Sequence, residues 1–484
     1  MHTNYSPWLH QLNRTRPEAL LTGNMQVDVA IVGAGIAGIA TAYFTLKHTQ
    51  KTVVVLEAGK VAHGATGHNG GFLATYFERS FKSLIQEFGF EMAADAQRAI
   101  DSSWELLEEI RADAKLSTPL WKFTGYAAIA TEEELLVHLR NNALRKKAGL
   151  SAPVVLVSDA YVHSARIPAL YKELYRMVPK AELLELLETA DEDYFAVLPE
   201  QKGVMNSALF TEELALYLLA TYPERFTLAE QAPVARLTLH SAHGELLLHA
   251  GQVVEAGRVV LCTNGFENIT LVNAVGESVS KKFHYLVRGI VGYMAGYLEA
   301  EGKPPAEISY LPKSTGNHGA DIYAEDPYFY LTRRPFVHEG RAQNLICIGG
   351  PEALMDDTNN YNVEHPFPAE AREQIDTFLR YTYKRDTDDR VEYKFLWHGL
   401  MGFTPNGVRL IGAEPLNPVM LYNLGCNGVG LMPSLYGGWK IAQVLAGKVL
   451  PAAIFDPKDI RSLSGKRVVS PRRIKHRGRH EAAA

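Results

Sequence analysis

The feature that most constrains this chain is Gly33-x-Gly35-x-x-Gly38, which follows the apolar run VDVAIV directly and opens the stretch IAGIATAYFTLKH. In that setting the three glycines read as the turn of a strand–helix–strand unit that binds a dinucleotide. The first permits a tight turn, the second lets the backbone approach a diphosphate, and the third lets the helix pack closely on the strand. Unpaired amides at the helix N-terminus favour the anion. KTVVVLEAG then reads as a second parallel strand, apolar on both faces. It ends in Glu57, where an acid accepts from ribose hydroxyls and disfavours a 2′-phosphate. The alternative is a structural glycine turn beside a surface glutamate.

Length and composition narrow the rest. At 484 residues the chain is expected to form two domains. A net charge of −5 gives no reason to expect nucleic acid as a partner. Cys262, Cys347 and Cys426 form no CxxC pair, which suits a reducing cytoplasm better than a disulfide framework or a zinc cluster. The opening residues lack the apolar core of a signal peptide. The most apolar window, Val27 to Leu46, is cut by Asp28 and by the glycine turn, so no membrane span is expected. No HExxH, GxSxG or GxxxxGK[ST] pattern occurs, so neither a metal site nor a hydrolase is expected.

Along the chain, residues 1–24 read as an irregular lead-in, with Pro7 and Pro17 interrupting any helix. Residues 80–118 show helical periodicity, WKFTGYAAIAT suits a strand, and EEELLVHLRNNALRKKAG suits a helix. Residues 195–270 return to dinucleotide texture, and 281–350 carry runs suited to an antiparallel sheet. The expected segments are 25–80, 151–275 and 395–455 for the dinucleotide domain, and 81–150 with 276–394 for an inserted domain. Residues 456–484 read as a basic, solvated tail, with an anionic partner as the alternative.

The loop His63-Gly64-Ala65-Thr66-Gly67-His68-Asn69-Gly70-Gly71 follows Glu57, and its small residues let backbone crowd a flat cofactor. With this loop the chain resembles the D-amino-acid-oxidase-like family of FAD-dependent oxidoreductases. Within that family it is most similar to gamma-glutamylputrescine oxidase-like and glycine or sarcosine oxidase-like members. Further motifs carry the resemblance in order: APVARL, VVLCTNG, Val287-Arg288-Gly289, Trp397-His-Gly399 with TPNGVRLIG, and LGCNGVGLMPSLYGG. Val287-Arg288-Gly289 departs from the family's PxRGQ pattern by lacking both the proline and the glutamine.

The resemblance implies an α/β fold: a discontinuous Rossmann-like FAD-binding domain with an inserted α+β substrate domain of antiparallel sheet and helices. It places FAD contacts at Gly33, Gly35, Ile36, Ala37 and Gly38, at Glu57 and Ala58, and at Gly64, Ala65, Thr66, His68, Asn69 and Gly70. Further contacts are implied at Val234, Thr263, Asn264, Gly265, Gly399, Gly425, Asn427, Gly428, Gly430 and Leu431. The last helix would aim its N-terminus at the flavin edge that gains negative charge on reduction. His68 aligns with a histidine that is covalently joined to flavin in dimethylglycine dehydrogenase-like members, so a covalent link and a noncovalent contact both stand. Cys347 matches no flavin-linking cysteine and reads as a buried thiol.

Candidates for the substrate side are His68, His284, Arg288, Tyr330, Arg333 and Trp397. A carboxylate-binding arginine would come from Arg333 or Arg334, of which at most one can face inward, because neighbouring strand residues point opposite ways. Both facing solvent is the alternative. The activity implied is oxidation of the C–N bond of a small amine or amino acid by hydride transfer to flavin N5, with O₂ as acceptor. A dehydrogenase with another acceptor, and a non-catalytic flavoprotein, are the alternatives.

Overall fold

The run VDVAIV lies at the centre of the first sheet, in the strand Met25–Val32, whose last four residues are fully buried. That strand pairs in parallel with Val53–Leu56 on one side and Val253–Leu261 on the other. The computed structural model describes residues 4–458 apart from 13, 15, 164–165, 267, 280–286, 314–327, 356 and 386–388. Among the described residues this sheet has nine strands, extended by Phe226–Ala229 beyond Val53–Leu56 and by the hairpin Val234–Leu239 and Gly244–Leu248 at the other side. The far half of Val253–Leu261 also takes Met420–Leu424 as a parallel neighbour. Helices Ile36–His48 and Leu431–Leu445 cross each other closely. Their approach depends on Gly438, where a Cβ would lie 2.8 Å from the amide nitrogen of Thr41.

The second sheet has ten strands among the described residues and is mostly antiparallel. Its long members are Arg288–Ala300, Phe329–His338 and Arg341–Leu354. The α/β architecture of two sheets agrees with the expected fold, but the segment boundaries differ. Residues 151–275 divide: Val155–Ser158, Tyr175–Val178 and Ala196–Met205 join the second sheet, and only from Phe226 does the chain return to the first. Phe395–Phe403 is likewise an edge strand of the second sheet. Alternation along a strand reveals which face is buried, not which sheet it joins. The crossing point is Asn206, whose side chain caps the helix Ser207–Thr221 by accepting from the amides of Ala208 and Leu209 at 3.1 and 3.0 Å.

The lead-in also differs from expectation. Pro7 starts a short helix, Pro7–His10, in the first-turn position where a missing N–H costs nothing, and Ser6 caps it. This segment forms a strap across both sheets. Tyr5 donates its amide to Leu396 O at 2.9 Å, and Asn4 accepts from the His398 amide at 2.9 Å. Trp8 donates its indole N–H to Asn69 O at 2.5 Å, and Ser6 donates to Gly67 O at 2.5 Å. Arg16 bonds Glu212 and Glu230 at 2.6 Å each. Among the described residues no helix is long and apolar enough to cross a membrane. His284 and residues 459–484 of the basic tail lie outside the described residues.

Candidate active site

A cavity of about 680 Å³ runs from the Gly33 turn to the face of the second sheet. At its first end Gly33 adopts φ +103°, and a Cβ there would come within 2.8 Å of Cys262 O. Gly35 and Ile36 line the wall beside it. Glu57 Oε2 accepts from the Ala34 amide at 2.8 Å and Oε1 from the Gly59 amide at 2.9 Å, which fixes the carboxylate at the strand end. Burial raises its pKa.

The loop after Glu57 is held by its own side chains. Thr66 Oγ1 accepts from the Ile36 amide at 3.0 Å and so joins the loop to the glycine turn. Asn69 donates to Thr66 O at 2.7 Å and accepts from the Gly71 amide at 2.7 Å. His68 Nδ1 lies 3.0 Å from Gly64 O, and burial pulls the ring's pKa down to about 4. Gly399 admits this loop, since a Cβ there would collide with His68 O. Opposite, Gly430 begins the helix Leu431–Leu445 without a side-chain cap, and Gly430, Leu431 and Met432 all line the cavity. Helix geometry leaves the amides of Leu431 and Met432 without intrahelical partners, and Pro433 has none to offer.

The far end is built by the second sheet from Gly292, Tyr293, Met294, Tyr330, Glu352 and Met401. Tyr330 fills the space over Gly349, where a Cβ would come within 2.5 Å of its hydroxyl, and it meets Phe72 edge-on at 5.4 Å. Burial raises its pKa, with the Glu352 charge adding to the effect. Glu352 itself is pushed up to about 8 by burial and by Glu78, and Glu78 to about 7 by burial.

These features fit a dinucleotide flavin. Glycines clear the backbone where a diphosphate would lie, an acid closes the ribose end, and a second uncapped helix start faces the middle. Residues 28–444 match the model of the family described as FAD dependent oxidoreductase. The chain belongs to the FAD-dependent oxidoreductase family. FAD is accordingly its cofactor.

Among solved structures, glycine oxidase from Geobacillus kaustophilus aligns with a TM-score of 0.61 at 18% identity, covering 90% of this chain and 98% of that one. L-proline dehydrogenase from P. horikoshii aligns with a TM-score of 0.65 at 16% identity, covering 91% and 99%. Of curated relatives, gamma-glutamylputrescine oxidoreductase of Escherichia coli is 30% identical over 108 residues, 22% of this chain and 25% of that protein. Probable oxidoreductase OrdL of Haemophilus influenzae is 31% identical over 113 residues, 23% and 26%. The matches therefore span about a quarter of these relatives' length.

In this FAD-dependent oxidoreductase the cavity wall gathers most of the residues expected to meet the cofactor, from Gly33, Gly35, Ile36 and Ala37 through Glu57, Ala58, Gly64, Ala65, Thr66, His68, Asn69 and Gly70. Val234, Thr263, Asn264, Gly399, Gly428, Gly430 and Leu431 line it too. Four expected contacts stand one layer behind the wall. A Cβ at Gly38 would collide with Gly33 O, and Gly265 packs on Val287. Gly425 packs on Thr404, and Asn427 accepts from the Thr404 amide at 2.8 Å.

The substrate-side expectations need more correction. Arg288 is exposed at the start of its strand and does not line the cavity. Arg333 is buried and forms a two-pronged pair with Glu188 at 2.8 and 2.7 Å. Arg334 is buried as well, stacked 4.7 Å over Trp8 and bonded to Gln11 at 2.7 Å. Neither arginine faces the cavity, and neither faces solvent. Trp397 is wholly buried and meets Trp8 edge-on at 6.4 Å. Cys347 is buried off the wall, its pKa pushed up to about 12 by burial, whereas Cys262 and Cys426 line the cavity. Of the candidates, His68 and Tyr330 reach the wall. Sequence reasoning missed Tyr293, Met294, Met401 and Glu352, which lie in strands with no motif of their own, and Arg409, which lies within TPNGVRLIG but was not singled out.

Proposed function

We propose that this flavoenzyme oxidises the C–N bond of a small amine or amino acid, with O₂ as electron acceptor. The observation that carries the proposal is the continuity of the cavity from the glycine turn to Tyr293, Met294, Tyr330 and Met401. Bound FAD supplies a two-electron acceptor for hydride from the substrate α-carbon. The chain's own residues position the reactants. The apolar bodies of Phe72, Met294 and Met401 exclude water from the reacting face. Tyr330, kept protonated by burial, has its hydroxyl donating toward Met294 Sδ at 3.4 Å, which fixes its ring on the cavity wall. The uncapped amides of Leu431 and Met432 offer positive potential where negative charge develops on reduction. A cytoplasmic setting belongs to the proposal, supported by three unpaired cysteines.

Anaerobic titration of the holoenzyme with primary and secondary amines and with amino acids tests the proposal by the loss of visible flavin absorbance. Rapid reoxidation in air with one peroxide formed per turnover is the expected sequel. A flavin that no amine or amino acid bleaches would defeat the proposal, and slow reoxidation would assign the electrons to another acceptor.

A further inference from the structure

Among the described residues, the substrate end of the cavity holds no clamp for a carboxylate. Among the described residues, Arg409 is the only arginine or lysine on the cavity wall. It is already committed to Asn423, donating to Oδ1 at 2.8 Å and to the backbone oxygen at 3.1 Å. Arg333 and Arg334 are engaged by Glu188 and Gln11.

The wall carries a buried carboxyl group instead, which a bound cation would hold in its ionised form. Glu352 Oε2 is shut off from solvent and has no hydrogen-bond partner among the described residues. The charged neighbour it feels is Glu78, which repels it. Glu78 lies against Gly428 of the cavity wall, where a Cβ would come within 3.3 Å of its Oε1. Lys202 attracts Glu78 but is itself shared between Glu200 at 3.3 Å and Glu307 at 3.6 Å. Tyr328 feels both carboxylates and stands 5.9 Å from Tyr330. A buried carboxylate is costly unless a cation meets it. An ammonium offers three donors and is also drawn to aromatic faces.

We propose that Glu352, backed by Glu78 and flanked on the cavity wall by Tyr330, binds the non-reacting ammonium of an aliphatic diamine substrate. The proposal rests on the reading that the enzyme oxidises amines. The reacting nitrogen must be neutral to release hydride from its carbon, so the cation held at Glu352 is the second nitrogen. The described wall, with Arg409 committed to Asn423, argues against an α-carboxylate on the same molecule.

The test uses the holoenzyme with 1,4-diaminobutane, 1-aminobutane, glycine and sarcosine, following both perturbation of the flavin spectrum and its anaerobic bleaching. The diamine is expected to bind and bleach, and the two amino acids to do neither. E352Q should weaken diamine binding about tenfold or more and 1-aminobutane binding less than about threefold, the size of one charge-assisted bond. E78Q is a second variant, expected to weaken the diamine about threefold or more. Bleaching by glycine or sarcosine, with no diamine binding, overturns the proposal and leaves amine oxidation standing. Diamine binding that E352Q abolishes, with no bleaching by any compound, upholds the recognition site and overturns the oxidation reading. Diamine binding unchanged in both variants overturns the proposal outright.

Discussion

At position 38 even one methyl group is too much, because it would collide with the carbonyl oxygen of Gly33. Gly38→Ala should therefore cost roughly 2–3 kcal/mol by chemical denaturation and lower the flavin-to-protein ratio, although Gly38 does not line the cavity. His68 behaves differently. Its Nδ1 is tied to Gly64 O and its pKa is pulled down to about 4, so the ring is neutral at pH 7. We expect acid precipitation to leave the yellow flavin in the supernatant. A yellow pellet that turns colourless in His68→Ala would instead establish a covalent bond. The glycine turns were legible because their steric demands are local. Glu352 was not, since an isolated glutamate after NLICIGG carries no signal until Gly292, Tyr330 and Glu78 are folded around it.

The strand Phe329–His338 shows at element scale what alternation conveys and what it withholds. Opposite orientations for Arg333 and Arg334 follow from the period of two. What waits on each side does not. Tyr330, Thr332 and Arg334 share the face toward the flavin loop and the strap, with Thr332 donating to Gly70 O at 3.2 Å. Arg333 turns to Glu188, a left-handed residue with φ +46° at the end of a distant helix. Breaking this buried pair with Arg333→Met should cost about 3–5 kcal/mol. The flavin spectrum and substrate KM of the folded variant should stay unchanged. A large rise in KM would return Arg333 to the substrate site.

For the molecule as a whole, buried carboxylates set a dependence of stability on pH. Burial with repulsion from Glu78 raises Glu352 to about 8, and burial raises Glu78 to about 7, so the folded state holds protons that the unfolded state releases. Their stabilising contribution is complete below the ordinary carboxylate range and is lost as pH rises through 7 and 8. The Tm of E352Q should match the parent near pH 4.5 and exceed it by roughly 1–3 °C near pH 8.5. Equal melting curves at both pH values would show that Glu352 is solvated. Glu230 works in the opposite sense. Despite its burial, Arg16 and the amides of Val61 and Ala19 hold it down to about 2, so its support is present above the ordinary carboxylate range and is lost as pH falls from there through about 2.

The strap from Asn4 to Arg16 also imposes an order in time. Asn4 must wait for His398, synthesised 394 positions later, and Trp8 presses on Gly71 of the loop that shapes the flavin site. A growing chain therefore makes the brace long before its seat exists. Until the strand Phe395–Phe403 is in place, the strap lacks its hydrogen bonds to Leu396 and His398, and the loop lacks the wall that Gly399 sets against His68.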